Sequence, residues 1–334
     1  MNATIKLEKK HFPVLLNELI SIISPLYGGT FIDCTLGQGG YSKKILENHK
    51  NKVIALDRDN NASVVATKIK KQFNKRFQFI NTTFSQIDKI NLSNDNIKAI
   101  IFDLGFSTYQ INDPTKGLSF KSTGKLNMKM GFNDFSAHEV INNLSEKHLN
   151  KMFKYFGEES MSKSIARKII SERKKKLINT KDLVTIVDKI KGFKKKKIHN
   201  STKVFQSLRI FVNKEISELI YGLINSFKIL PIGGTIVVVT FHSLEDKIVK
   251  FFFRNYSEDK NFSRYLPEKI KKKQLFNMIK KKPIIPSKSE LEINPPSRSA
   301  KLRYAVKKNN TDDFSVFINQ FKYLTDIEKL SSEL

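Results

Sequence analysis

Near the N-terminus, the residues best suited to bind a ligand are two acids that flank a group of glycines. Asp33 ends an apolar, β-like segment, and Asp57 ends the next one. The turn between them carries Gly37, Gly39 and Gly40. Glycines at such a turn let the backbone approach a ligand, and they open the next helix toward it. An acid after the second strand is placed to accept both hydroxyls of an adenosine ribose, so the spacing predicts an adenosine-containing cofactor.

Nicotinamide dinucleotides and S-adenosylmethionine both bind to this layout, and the turn separates them. The dinucleotide fingerprint needs a third glycine where Ser42 stands. S-adenosylmethionine has no pyrophosphate, so its site does not need that glycine. The sequence therefore favours the methyl donor. A plain tight turn and a nicotinamide-dependent oxidoreductase remain alternatives, although Asp57 argues against the plain turn.

A second group of candidate residues follows the fourth predicted strand, where Asp103 and Phe106 have the pattern acid, two residues, aromatic. The amine of a cytosine or adenine is a poor nucleophile because its lone pair is delocalised into the ring. An acceptor on the N–H and an aromatic ring stacked on the base make the nitrogen more reactive. We predict amine methylation with Asp103 and Phe106 as catalytic residues. A turn cap at Asp103 and a core position for Phe106 are the alternatives.

The third group is Phe241 to Asp246, which follows a strongly β-branched segment. Because that segment also ends at the ligand crevice, we predict that His242, with Glu245 and Asp246, binds substrate or assists proton loss. The alternative is that Ser243, Glu245 and Asp246 cap the next helix.

The single cysteine, Cys34, limits the chemistry further. It lies inside the first predicted strand and is expected to pack as a small hydrophobe. Methylation of carbon 5 of a pyrimidine, which needs a thiolate to attack carbon 6, is therefore not expected, and methylation of an amine or a ribose is favoured. One cysteine also excludes a disulfide framework and a cysteine-based metal cluster.

Charge and hydropathy limit the classes of partner that this protein is expected to bind. Sixty lysines and arginines face 32 acids, which gives a net charge of +28. Such an excess favours a polyanion such as nucleic acid, although an A- and T-rich genome produces the same lysine bias. The sequence has no apolar run near the ~20 residues of a membrane span and no signal peptide, so we expect a cytoplasmic protein without a membrane partner.

The elements that must position these residues alternate β-like and helical segments, typical of a doubly wound, Rossmann-like α/β fold. Predicted strands cover 30–35, 52–56, 77–81, 97–102 and 235–241, with 302–306 as a last edge strand. One long amphipathic helix is predicted over 204–230. Between 113 and 203 the pattern becomes a loop and then helical, with a capping box at Ser136 and Glu139 and several lysine runs. We predict a core of 1–112 and 204–334 with an inserted, basic, mostly helical, substrate-binding subdomain of 113–203.

Six motifs resemble those of the RsmH (MraW) family, whose members are 16S rRNA cytosine N4-methyltransferases. The likeness runs from His11 to Val306, and its last two motifs are too long and specific for chance. The motifs are DCTLGQGG at 33–40, DRD at 57–59, DLG at 103–105, FQSLRI at 205–210, FHSLED at 241–246 and NPPSRSAKLR at 294–303.

The resemblance implies a class I S-adenosylmethionine-dependent methyltransferase with an inserted helical subdomain. It implies methylation of the N4 amine of a decoding-centre cytidine in 16S rRNA, either free or within the small ribosomal subunit. The base would be unstacked and inserted beside Asp103 and Phe106, with no metal required. A homodimer is left open. With Gly37 from the turn, the predicted cofactor contacts are Gly39, Gly40, Tyr41, Asp57, Phe84, Asp103 and Gln110.

Some residues depart from the family's usual pattern. Thr123 and Asn127 stand where acids are expected, so the segment 117–130 loses two negative charges beside the substrate. Lys129 and Lys203 replace arginines, which keeps the charge but loses the planar fork. These changes motivate the alternative of a catalytically impaired, rRNA-binding ribosome-assembly factor.

Two further departures are Tyr41, in place of a histidine, and Phe106, in place of a valine. A backbone contact at Tyr41 would survive the change. Outside the motifs, the lysine-rich stretch 269–282 and the basic insert are predicted to hold rRNA phosphates, which gives affinity rather than base choice.

Overall fold

The computed structural model describes residues 13–92, 96–106, 110–111, 113–120, 126–192, 198–257, 274–311 and 313–334. Within these residues, seven strands form one sheet in the order β3-β2-β1-β4-β5-β7-β6. The first five strands are parallel, and β7 runs antiparallel to both β5 and β6. The strands are β1 Gly29–Asp33, β2 Asn51–Asp57, β3 Phe77–Asn81, β4 Ile97–Asp103, β5 Thr235–Thr240, β6 Phe276–Asn277 and β7 Lys301–Lys307.

The strands are buried on both faces, which explains their near-continuous apolar sequence. Every residue of β5 is buried, and alternate residues enter two separate clusters. Ile236 and Val238 belong to one cluster, whereas Val237 and Val239 belong to the other. The doubly wound Rossmann-like fold is confirmed. β1 and β4 are neighbours at the point where the strand order reverses, and a ligand crevice is expected at their carboxyl ends.

Helices cover both faces of this sheet. The helices Gly40–Leu46, Ala62–Phe73 and Ser243–Ser257 follow the parallel strands β1, β2 and β5. The α-helices are Leu16–Ile23, Gly40–Leu46, Ala62–Phe73, Ala137–Asn143, Glu146–Phe156, Ser162–Arg173, Thr180–Lys191, Thr202–Asn213, Glu215–Ile229, Ser243–Ser257, Lys288–Ile293 and Ser315–Glu328. Short 3-10 helices are Pro25–Tyr27, Asn74–Arg76, Phe84–Lys89, Pro295–Ser299 and Lys329–Glu333. None of the described helices has the length and apolar character that a membrane span requires.

Four of these helices lie between β4 and β5, in the range predicted as an insert. The capping box is confirmed, since Ser136 N–H donates to the Glu139 carboxylate at 2.6 Å and the Ser136 hydroxyl accepts from Glu139 N–H. Leu149 and Phe153 share one buried cluster with Phe205, and their helix, Glu146–Phe156, packs against the helix Thr202–Asn213. The lysine run at 194–197 lies outside the described residues.

The predicted single helix over 204–230 is wrong: two helices meet at Lys214, whose φ is +49°. The N–H groups of Ile216 and Ser217, at the start of the second helix, donate to the buried carboxylate of Glu328 at 2.8 and 2.9 Å. The distant Glu328 therefore stabilises a helix start that the local sequence does not signal.

The prediction of β7 as an edge strand is also wrong. β6 pairs with its outer side, and Ile284 forms an isolated bridge with Leu302. A two-residue strand in a lysine-rich stretch has too little apolar period to be predicted. The buried Lys307 of β7 donates to the carbonyls of Phe227 and Leu230, both at 2.7 Å, and so closes the C-terminal end of the helix Glu215–Ile229.

Candidate active site at the carboxyl edge of the sheet

The glycine turn after β1 encloses the carboxylate of Asp57. Gly37 N–H donates to Asp57 Oδ2 at 2.9 Å, and Asp59 N–H donates to Asp57 Oδ1 at 2.8 Å. Gly37 and Gly39 have φ of +48° and +71°, which side chains disfavour. Burial raises the pKa of Asp57 to about 6, and the two N–H donors limit the rise. The predicted ribose acid is therefore held at the mouth of the turn by backbone dipoles.

Asp33 and Thr35 join the ends of β1 and β4. The Ser42 hydroxyl donates to Asp33 Oδ2 at 2.6 Å, and Thr35 N–H donates to Asp33 Oδ1 at 3.2 Å. Thr35 Oγ1 then accepts from the N–H of Asp103 at 2.8 Å. Ser42 stands where a dinucleotide site has its third glycine, and here its hydroxyl is the partner of a buried acid.

Gly40 and Tyr41 begin the helix beyond the turn and contact the N-terminal segment. A Cβ at Gly40 would overlap the ring of Pro13. The Tyr41 ring is buried, and its hydroxyl donates to the carbonyl of Val14. The Tyr41 side chain is therefore committed to packing, and only its backbone is left for the predicted cofactor contact. Cys34, at the end of β1, is free and buried, and burial raises the pKa of its thiol.

Phe84 begins the 3-10 helix that follows β3 and is half-buried. Its ring packs edge-on against Phe102 of β4, with centroids 5.3 Å apart. Gly222 allows the close approach of the helix Glu215–Ile229, because a Cβ there would lie 2.6 Å from the Phe84 ring. In the same helix, Glu218 accepts from the Ser85 hydroxyl at 2.9 Å. Phe84 is thus fixed by a sheet strand and a helix from the second half of the chain.

Gln110 and Lys116 reach the acid loop after β2. Gln110 Nε2 donates to Asp59 Oδ2 at 2.7 Å, and Lys116 Nζ lies 3.2 Å from the same oxygen. Burial alone would raise the pKa of Asp59, but Gln110, the N–H of Asn61 and Lys116 outweigh it and lower the pKa. The structure brings Gln110 to the loop of Asp57 through Asp59, which the sequence analysis named only within the DRD motif.

Asp103 ends β4 beside two other acids. Its Oδ1 is buried and has no hydrogen-bond partner among the described residues. Burial, followed by the charges of Asp33 and Glu245, raises the pKa of Asp103 well above its usual value. A buried, unpartnered oxygen at the crevice is where a ligand N–H is expected.

Phe106 is 42% exposed, so the alternative of a core position is wrong. Its ring lies next to the guanidinium of Arg209, whose Cζ is 4.8 Å from the ring centroid. One side of the ring therefore has a cationic neighbour from the helix Thr202–Asn213, which the sequence analysis noted only as part of a motif.

Arg209 is the centre of a charged cluster. Its Nε and NH2 donate to the two carboxylate oxygens of Glu215 at 2.8 and 2.9 Å, and NH2 lies 3.9 Å from Glu245. His242 Nε2 lies 3.0 Å from the same Glu245 oxygen. Potential ligand atoms of Glu215, His242 and Glu245 fall within 4.8 Å of one another, a spacing that suits a metal ion. Arg209 places one positive charge against these two carboxylates, and its fork already binds both oxygens of Glu215.

Glu245 also starts the helix that follows β5, which supports part of the capping alternative. Its Oε2 accepts from the N–H groups of Phe241 and His242 at 2.8 and 3.3 Å. Burial would raise the pKa of Glu245, but His242, Arg209 and these N–H groups lower it below its usual value. Ser243 is the first residue of this helix, and its hydroxyl donates to Glu158 at 2.6 Å. The N–H of Glu245 donates to His242 Nδ1 at 3.3 Å, so His242 caps the helix start.

Asp246 joins two of the motifs across β5 and β7. Its Oδ1 accepts from Arg303 Nε at 2.7 Å, and its Oδ2 lies 3.0 Å from Lys301 Nζ. Arg303 is 8% exposed, so this pair is largely desolvated. The motifs FHSLED and NPPSRSAKLR are therefore linked by ion pairs from Asp246 to Lys301 and Arg303, which position the end of β5.

Three residues that depart from the family pattern bind backbone carbonyls of the insert. Asn127 Nδ2 donates to Thr115 at 3.3 Å, Lys129 Nζ to Asp134 at 3.4 Å and Lys203 Nζ to Glu158 at 2.7 Å. Asn127 and Lys129 therefore order the loop before the helix Ala137–Asn143, and Lys203 orders the start of the helix Thr202–Asn213. Thr123 and residues 269–273 of the lysine-rich stretch lie outside the described residues.

Comparisons with known proteins cover nearly the whole chain. Residues 8–308 match the MraW methylase family. Ribosomal RNA small subunit methyltransferase H of Rickettsia bellii (strain OSU 85-389) is 42% identical over 305 residues, which is 90% of this chain and 100% of the relative. The protein of the same name from Rhodopseudomonas palustris (strain BisA53) is 39% identical over 297 residues, 88% of this chain and 90% of the relative. A solved rRNA methylase from Streptococcus thermophilus covers 90% of this chain and 99% of its own, with 10% identity and a TM-score of 0.37.

Proposed function

The chain belongs to the MraW methylase family, and we propose that it methylates the N4 amine of a decoding-centre cytidine in 16S rRNA, with S-adenosylmethionine as donor. The observation that carries the proposal is the match over residues 8–308, with relatives named as small-subunit rRNA methyltransferases. The buried acid and exposed aromatic ring after β4 support an amine as the acceptor.

The residues around the glycine turn suit S-adenosylmethionine. The methionine end would lie along Gly37–Gly40, the ribose hydroxyls would donate to Asp57, and the adenine would lie near Phe84 and Asp103. The fit rests on the N–H donors that hold the Asp57 carboxylate in place and on the unpartnered oxygen of Asp103. When bound, this cofactor supplies an electrophilic methyl group.

The remaining chemistry belongs to Asp103 and Phe106. Asp103 accepts a hydrogen bond from the N4 amine, and the ring of Phe106 stacks on the base. Because burial raises the pKa of Asp103, its ionised form is a stronger proton acceptor than an exposed aspartate. His242 binds Glu245 and has a positioning role in this scheme. Most of the rate enhancement comes from holding two reactants in line.

Residues 113–203 would form the substrate-binding subdomain, and the lysines on it and in 274–282 would contact rRNA phosphates. Such contacts make affinity depend strongly on salt and little on sequence. We place the target within the small ribosomal subunit, because the relatives are named as ribosomal RNA small subunit methyltransferases.

A methyl-transfer assay on small subunits from a strain that lacks the gene tests the activity. Wild type should add one methyl group to a single cytidine, located by mass spectrometry, and Asp57→Ala should reduce the transfer. Asp326→Ala, which removes an exposed acid paired with Lys329, is the matched control and should behave as wild type. Methylation of another atom would refute the N4 assignment, and rRNA binding without methyl transfer would favour the assembly-factor alternative.

Calorimetry with S-adenosylmethionine tests cofactor binding separately. Asp57→Ala should weaken binding by at least about tenfold, because it removes the acceptor of two ribose hydroxyls. Unchanged affinity in this variant would exclude Asp57 from the ribose site.

A further inference from the structure

The two sides of the Phe106 ring have different surroundings. One side faces the Arg209 guanidinium at 4.8 Å, and the ring as a whole is 42% exposed. An aromatic ring with a cation on one face keeps its other face available for a flat partner.

Arg209 is held far more firmly than the ring. It is 7% exposed, and its planar fork binds both oxygens of Glu215. Such a bidentate pair fixes the plane of the guanidinium as well as its position. Phe106 therefore lies against a rigid support, although the ring itself is on the surface.

The geometry behind this support depends on the break at Lys214. Residues 209 and 215 are six apart, and in one continuous helix their side chains would lie about 120° apart around the axis. The left-handed conformation of Lys214 turns Glu215 back toward Arg209. The break between the two helices thus creates the ion pair under Phe106.

The strand ends on either side complete the arrangement. Gly105 has φ of +104°, and a Cβ there would lie 3.5 Å from the ring of Phe241. Glu245, which binds the N–H of Phe241, lies 3.9 Å from Arg209. The loop after β4 and the loop after β5 are therefore both connected to the same guanidinium.

We propose that Arg209 is a positioning residue that, held by Glu215, fixes Phe106 as a one-sided stacking platform for the target cytosine. This proposal rests on the proposed function, because it assumes that a single-stranded cytosine enters beside Asp103. A base stacked on the free face of Phe106 extends the order guanidinium, ring, base. Stacking on an aromatic side chain changes affinity by about tenfold or more per base.

A fluorescent cytidine analogue gives a direct test. Single cytidines of a decoding-region rRNA hairpin are replaced in turn by pyrrolocytidine, whose emission is quenched by stacking. With wild type, one position should be quenched. Phe106→Leu should abolish the quenching and raise KM for the unmodified RNA about tenfold, with affinity for S-adenosylmethionine unchanged. Phe106→Tyr, which keeps the ring, should restore both.

Variants at Arg209 separate positioning from folding. Arg209→Lys keeps the charge beside Glu215 but loses the fork, so quenching should fall partway and KM should rise severalfold with a normal thermal midpoint. In the Phe106→Leu background the same change should have no further effect on KM, because no platform remains. Equal effects in both backgrounds would overturn the proposal, as would full quenching in Phe106→Leu.

The same measurements distinguish failure of the proposed function from failure of the platform proposal. If wild type quenches one position but transfers no methyl group, the platform stands and the activity is wrong. If wild type methylates rRNA and no position is quenched, the activity stands and the platform is wrong.

Discussion

The cofactor side and the substrate side of the crevice are held by different kinds of interaction. On the cofactor side, backbone N–H groups bind the predicted ribose acid, since those of Gly37 and Asp59 donate to Asp57. On the substrate side, charged side chains bind one another, as Arg209 does with Glu215. Backbone donors persist when side chains change, whereas a desolvated ion pair fails when either partner is lost. We therefore expect the substrate side to be the more sensitive to mutation.

The first prediction has the largest expected effect. It compares one substitution on the cofactor side of the crevice with one on the substrate side. Arg209→Met leaves Glu215 and Glu245 without their cation and should lower the free energy of unfolding by about 3 kcal/mol. Thr35→Val removes the acceptor of the Asp103 N–H and should cost about 1 kcal/mol. Urea unfolding of both variants measures the difference. Equal decreases in the free energy of unfolding would show that the two sides do not differ in sensitivity to mutation.

A second prediction concerns Asp103, where the two sides meet. Asp103→Asn should reduce the single-turnover rate of methyl transfer by about 100-fold, because an amide does not take up a proton. Its thermal midpoint should not fall, since the substitution removes a carboxyl whose pKa is raised by burial. A rate within twofold of wild type would show that another group accepts the proton.

The third prediction concerns pH and the buried Glu328. Burial raises the pKa of Glu328 from 4.5 to about 7, so the folded state binds its proton more tightly than the unfolded state. Its contribution to stability is therefore greatest below pH 4.5 and declines as the pH rises to about 7, by at most about 1.4 kcal/mol per pH unit. Glu328→Gln should flatten this decline in urea unfolding between pH 5 and 7.5. If the stability of Glu328→Gln declines with pH as steeply as that of wild type, other groups cause the decline.

The fourth prediction concerns the cofactor side in the same pH range. The pKa of Asp57 is raised to about 6, and ribose hydroxyls donate best to its ionised form. Affinity for S-adenosylmethionine should thus fall below pH 6, by up to about tenfold per pH unit. Calorimetry at pH 5, 6 and 7.5 measures it. Asp57→Asn should bind weakly at every pH, and a pH profile parallel to that of wild type would contradict the assignment.

The difference between the two sides also explains what the sequence could predict. The turn of Gly37 and the acid Asp57 belong to one βαβ unit, so their spacing is enough to place them together. Arg209 and Phe106 are about a hundred residues apart, and no local pattern connects them. The apolar period continues across Lys214, so the helix break that places Glu215 under Arg209 was not predictable from periodicity.

The same reasoning applies to the edge of the sheet. β5 was predictable because six successive buried residues have an unmistakable composition. β6 was not, because its two residues, Phe276 and Asn277, gain their conformation from pairing with β7. The acids and rings at the carboxyl edge could be predicted as candidates, but their partners could not, since most partners come from distant elements.

The carboxylate of Glu328 has a consequence for the order in which the protein is completed. Translation delivers β1 to β4 and the glycine turn more than 200 residues before it delivers Glu328. Until then, the helix that presents Glu215 has no carboxylate at its first N–H groups. A nascent chain would thus form the glycine turn around Asp57 early and complete the support of Phe84 and the base platform late, so that reactivity toward RNA begins only after the C-terminal helix has left the ribosome.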